Sequence, residues 1–152
     1  MGGGVGGDVR NTVIGYYESW RADATCAWAD PSMIPAQALT GLNFAFAYVL
    51  PDTFEILPMQ GVDADLLARV TDAKVRNPDL TVSVSIGGWS FNDNGTETQP
   101  VFSDIASSLQ NRATFARNLY EFMVEFGFDG VDIDWSVYSH STIKLKYIIV
   151  YL

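Results

Sequence analysis

The chain has 152 residues, 48% of them hydrophobic and 18% charged, which is enough apolar side chain for one globular core and too few charges for wholesale disorder. A formal charge of −9 and a pI of about 4.3 argue against nucleic acid and anionic membrane surfaces as partners, because both attract basic proteins. A neutral polymer meets no such barrier, and no stretch approaches the ~20 apolar residues of a membrane span.

The first predicted segment, residues 1–12, is glycine-rich and flexible, with no apolar core of the kind a secretory signal contains. Residues 13–17 (VIGYY) form a β-branched and aromatic run that reads as a buried strand. The single Cys26 cannot close an intramolecular disulfide and reads as a small buried thiol. Residues 32–38 are compatible with a short helix, and LNFAFAY at 42–48 is a second strand. Both strand runs are apolar on both faces, as parallel strands covered on each side are.

From 63 to 76, Leu66, Leu67, Val70 and Ala73 recur at helical spacing, with Asp63 or Asp65 placed to cap the start and Pro78 just beyond the end. LTVSVSIGGW at 80–89 begins as a strand and ends in a glycine pair. FNDNGTETQP at 91–100 is a turn-rich loop whose Asn94-Gly95-Thr96 sequon would fit a secreted glycoprotein. Residues 111–126 place Phe115, Leu119, Phe122, Met123 and Phe126 on one helical face, and Gly127 stops that helix. The fourth strand is FDGVDIDW at 128–135. Strand and helix alternate with no hairpin signal between them, which predicts βα units and a parallel sheet. Four such units are half of a (β/α)8 barrel, which needs eight strands and about 250 residues. On composition alone, a four-stranded open α/β sheet is the alternative.

Two segments at the carboxyl ends of predicted strands carry the chemistry, where α/β folds place their sites. In Ser85-Ile86-Gly87-Gly88-Trp89 the glycines permit close backbone approach, and a Trp can stack on the apolar face of a sugar ring. The same residues also read as a tight turn beside a core Trp. In Asp129-Gly130-Val131-Asp132-Ile133-Asp134-Trp135 the strand period of two puts Asp132 and Asp134 on one face and Val131, Ile133 and Trp135 on the other. Two carboxylates on one face of a buried strand are costly, since desolvation and mutual repulsion both penalise ionisation, and such pairs mark sites. The other readings are a turn at Asp129-Gly130 with solvated edge residues, or an oxygen-ligated metal.

Asp129, Asp132 and Asp134, at spacings of three and two, resemble the DxxDxDxE signature of glycoside hydrolase family 18. SIGGW resembles that family's SxGG segment, and GYYESW (15–20) and LNFAFAY look like its first two strands. The likeness runs from about Val13 to Trp135 and looks closest to the fungal chitinases. It implies a barrel, no cofactor, no metal, and β-1,4-linked N-acetylglucosamine polymers as partner. It also implies an extracellular location, although this sequence shows no signal peptide.

The implied reaction is substrate-assisted, retaining hydrolysis. A Glu protonates the glycosidic oxygen while the substrate's own acetamido carbonyl attacks the anomeric carbon. Asp134 then orients the acetamido N–H, Asp132 holds Asp134 through a shared proton, and Asp129 supports the strand end. Tyr17, Phe46, Ser85, Gly87, Gly88, Trp89 and Trp135 would line the sugar groove, with Tyr17, Phe46 and Trp89 equally readable as core aromatics.

At the general-acid position stands Ser136, whose hydroxyl is no useful acid near neutral pH. Acid catalysis ordinarily contributes ~10² to 10⁴ in rate. From Val137 the tail has no acidic residue, holds the only histidine, His140, and bears no likeness to the family's continuation. The change of composition after Trp135 suggests an altered reading of the gene, with His140 accidental rather than a ligand. The chain therefore divides into a flexible start (1–12), a partial catalytic domain (13–135) and a non-family tail (136–152). IKLKYIIVYL in that tail is either a further strand or a sticky apolar segment. The first and fourth strands are expected to show unpaired edges. A chitinase relative without turnover is the leading expectation, a lectin-like chitin binder the alternative, and a metal-dependent phosphatase lacks its phosphate loop.

Overall fold

The computed structural model describes residues 11–22, 30–139 and 142–151, with side chains as far as residue 135. Cys26, His140 and most of the glycine-rich start lie outside the described residues. The elements run β1 (Ile14–Glu18), β2 (Gly41–Val49), β3 (Ile56–Pro58), α1 (Ala64–Thr71), α2 (Ala73–Arg76), β4 (Thr81–Gly87), α3 (Val101–Ser107), α4 (Leu109–Phe126), β5 (Gly130–Ser139) and β6 (Thr142–Tyr151). The sheet order is β1-β2-β4-β5-β6, with β3 paired to β2. β1, β2, β4 and β5 are mutually parallel. The fold is α/β, as the alternation of strand and helix patterns predicts.

The differences from expectation lie at the margins of that parallel core. β3 and β6 are antiparallel additions, so the absence of a hairpin signal misleads. β6 pairs with β5 from Gly130↔Tyr151 to Ser139↔Thr142, and the fourth parallel strand is therefore not the open edge expected of it. The tail's strand reading holds over its aggregating alternative. Among the described residues β1 pairs only with β2, and it is not covered on both faces: Ile14 is 38% and Tyr16 53% exposed.

The single helix expected over 63–76 is divided at Asp72, which ends α1 and precedes α2 with ψ of −11°. Asp63, not Asp65, is the cap, accepting from the Asp65 amide at 3.1 Å. Residues 32–38 form two 3-10 turns, Pro31–Met33 and Ala36–Ala38, rather than a helix. α4 starts on the Ser108 hydroxyl, which accepts from the Asn111 amide at 3.0 Å. It ends at left-handed Gly127 (φ 76°), the conformation glycine adopts without a Cβ clash.

Strand alternation sorts the sheet into two faces. Tyr17, Leu42, Phe44, Val82, Val84, Ile86 and Val131 join Leu67, Val70, Phe115 and Phe122 of the helices in one buried cluster. Phe44, Leu67, Val82, Val84 and Ile86 are wholly buried, each contributing about 1.5–3 kcal/mol by leaving water. The opposite face carries Tyr16, Asn43, Ser83, Ser85, Asp132 and Asp134, aligned by the pairings Tyr16↔Asn43, Asn43↔Ser83, Ser85↔Asp132 and Gly87↔Asp134. The apolar layer thus fixes the strands, and the polar layer is what they display.

Candidate functional site

The polar face converges on Asp132, which is 0% exposed. Its Oδ2 accepts from the Tyr16 hydroxyl at 2.9 Å, from Asn43 Nδ2 at 3.1 Å and from the Ser85 hydroxyl at 2.8 Å. Three strands each contribute a donor from the same face: Ser85 stands opposite Asp132, and Asn43 and Tyr16 lie one two-residue step toward the amino ends of their strands. Oδ1 is buried and has no hydrogen-bond partner among the described residues. A buried carboxylate costs much less when donors hold it than when it stands alone.

Asp134, two residues on, shares that face and is half-buried. Burial, and then the charge of Asp132, push its carboxyl above the ordinary carboxylate range. A carboxyl held toward its protonated form can both donate and accept, which suits it to orient an amide group. The glycine pair gives it room. A Cβ on Gly87 would lie 2.3 Å from the Asp134 carbonyl oxygen, and Gly87 has φ of +107°. The Gly88 amide donates to that same carbonyl at 3.1 Å.

Aromatic side chains border this end of the sheet. β2 shifts register between Ala45 and Ala47, and the residue between them, Phe46, stacks on Trp20 with centroids 6.0 Å apart and planes 8° from parallel. A Cβ on Gly88 would sit 3.0 Å from the Phe46 ring, so the second glycine admits that ring. Trp89 is 72% exposed and Trp20 54%. Large exposed indoles suit the apolar faces of sugar rings.

Not every expected site residue is here. Tyr17 is buried against Phe44 with centroids 6.0 Å apart, facing the helices, because alternation puts Tyr16 and not Tyr17 on the polar face. Trp135 packs on Phe102 at 5.7 Å in the apolar layer, one position out of phase with the aspartates. Asp129 stands five residues before Asp134, about 16 Å along an extended chain, and is occupied elsewhere. Its Oδ1 accepts from Lys74 Nζ at 2.8 Å and its Oδ2 from the Val82 amide at 2.8 Å.

Ser85, Gly87, Gly88, Asp132 and Asp134 are brought together, with Phe46 and Trp89 at the rim. Ser136 follows on β5 opposite Leu145, its side chain outside the described residues. Tyr16, Asn43 and Trp20 were not anticipated. Asn43 had a signal, as the one polar residue in an apolar strand. Among the described residues no group of His, Cys, Asp and Glu is arranged to hold a metal ion.

Carboxylates and glycines at the carboxyl ends of parallel strands, beneath exposed indoles, define the class of α/β proteins that act on ligands at that end of the sheet. The model of glycosyl hydrolases family 18 matches residues 12–148, and the chain belongs to that family. It is 30% identical over 140 residues to chitinase B of Serratia marcescens, covering 83% of this chain and 28% of that protein. It is 31% identical over 105 residues to chitotriosidase-1 of Mus musculus, covering 69% and 21%. Among solved structures, a double mutant of the GH18 chitinase from Cycas revoluta in complex with (GlcNAc)4 superposes with a TM-score of 0.68 at 25% identity, covering 84% of this chain and 35% of that one. The chain thus spans about a quarter of the length of these curated relatives and a third of that structure.

Proposed function

We propose that this chain carries the sugar-binding and acetamido-orienting part of a chitin-hydrolysing site, on four parallel strands of the (β/α)8 type, and binds N-acetylglucosamine oligomers without turning them over. The observation that carries the reading is the paired carboxylates: Asp132 held by three donors, and Asp134 beside it kept toward its protonated form. In substrate-assisted hydrolysis the acetamido oxygen attacks the anomeric carbon. The acetamido N–H must then be held as positive charge develops on the ring that forms. Asp134 accepts that N–H, and the neighbouring Asp132 raises its proton affinity through space rather than through a shared hydrogen bond. The Cycas neighbour's (GlcNAc)4 supports the ligand class.

The leaving alkoxide also needs a proton, and Ser136 stands at the position from which the family's Glu gives it. A hydroxyl there withholds acid catalysis, so a sugar oxygen is not released at a useful rate. A fluorogenic chito-oligosaccharide assay is the test. The expected result is no hydrolysis above the uncatalysed background. Turnover that Asp134→Ala abolishes would overturn it.

A second reading, a lectin-like chitin-binding protein, is favoured by the exposed Trp89 and by the Trp20–Phe46 stack. Saturable retention on chitin beads, competed away by soluble GlcNAc oligomers, is its measurement. An extracellular location goes with either reading, since chitin is a polymer laid down outside the cell membrane.

A further inference from the structure

The loop after β4 holds a motif that the sugar site does not use. Asn94-Gly95-Thr96 fits the acceptor pattern for N-linked oligosaccharide, and the fold presents it as an acceptor must be presented. The Thr96 amide bonds the Asp93 carbonyl at 3.2 Å, and Gly95 has φ of +87°. The motif therefore lies in a four-residue turn with the left-handed residue third, as in type II. Asn94 occupies the second position of that turn, at its tip.

The loop is anchored on both sides of the tip. Phe91, Asn92 and Thr98 are buried, and the Thr98 hydroxyl donates to the Phe91 carbonyl at 2.5 Å. Asn94, Gly95, Thr96 and Glu97 are exposed, and nothing lies within 4 Å of where a Cβ on Gly95 would stand. The tip is thus open space on a fixed base, and a bulky group there displaces no packed side chain.

We propose that Asn94 is an N-glycosylation site. An oligosaccharyltransferase would join the Asn94 side-chain amide nitrogen to the anomeric carbon of a lipid-linked oligosaccharide. The amide loses one proton, and the lipid pyrophosphate leaves with the electrons of its bond to that carbon. The inference depends on the extracellular reading for the compartment it requires.

The test is peptide mapping of the protein recovered from secreted and intracellular fractions of its native source, after peptide-N-glycosidase F release in ¹⁸O-water. Conversion of Asn94 to ¹⁸O-labelled Asp in secreted material is expected. Asn94→Gln and Thr96→Ala should remove the mass shift, and Thr96→Ser, which preserves both the hydroxyl and the motif, should keep it. Secreted protein with unmodified Asn94 overturns the site alone. Recovery only from the cytosol, unmodified, overturns the site and the extracellular reading together.

Discussion

The short Asp129–Asp134 motif that leads into β5 carries aspartates at both of its ends, and they do different work. Asp129, at the amino end, is spent on structure: Lys74 and the Val82 amide take both of its oxygens, fastening the start of β5 to β4 and α2. Asp132 and Asp134, toward the carboxyl end, lie on the polar face, one with an unpartnered oxygen and the other with its proton affinity raised. The difference teaches that a carboxylate's role is set by its neighbours. An acid whose oxygens are all bonded to its own chain has nothing left for a ligand.

The strongest blow to the carboxyl end is Gly87→Ala. The added methyl meets the Asp134 carbonyl, and the backbone is left-handed, so a loss of more than about 3 kcal/mol is expected in denaturant unfolding. A loss under 1 kcal/mol would mean that the strands separate easily there. Asp132→Ala comes next. It removes the acceptor of the buried Asn43 and Ser85 donors and should cost about 3 kcal/mol along with all oligomer binding.

At the amino end, Asp129→Ala should cost about 1–2 kcal/mol, since the Lys74 pair is partly exposed. Oligomer affinity of the folded fraction, read by calorimetry, should stay unchanged. A fall in affinity would dissolve the contrast between the ends. Trp89→Ala should do the reverse, with about tenfold weaker binding and stability within about 0.5 kcal/mol.

The finest distinction is in pH. The folded pKa of Asp134 is raised above its unfolded value, so its protonated form favours the fold. That contribution is complete below the ordinary carboxylate value of about 4 and is lost as pH rises through the raised value. Asp134→Asn cannot ionise. The wild-type Tm should therefore fall relative to this variant as pH rises above about 4, whereas an equal difference at every pH would refute the shift.

The parallel core was legible because hydrophobic runs, the glycine stop of α4 and the period-two aspartates are local signals. Asp132 with Asp134, Ser85 and the glycine pair followed from those signals. A phase error accounts for Tyr17: in strands buried on both faces, hydrophobicity does not say which neighbour faces the site, and the pairing register decides it, whereas Trp135 keeps the face opposite the aspartates that the period of two gives it. Tyr16 and Trp20 needed contacts between strands far apart in sequence. The antiparallel β3 and β6 have weak local marks, and β6 is defined by the partner it finds.

That partner has a consequence for the order of folding. β5 and β6 meet across a two-residue gap, whereas β4 and β5 must be brought together across the whole of α3 and α4. A local hairpin closes in about 1–10 μs, while distant parallel pairings are slow because the loop entropy comes due before any contact rewards it. β5 should thus acquire its antiparallel neighbour before it docks on β4. Any other strand that seeks the same flank arrives to find it occupied.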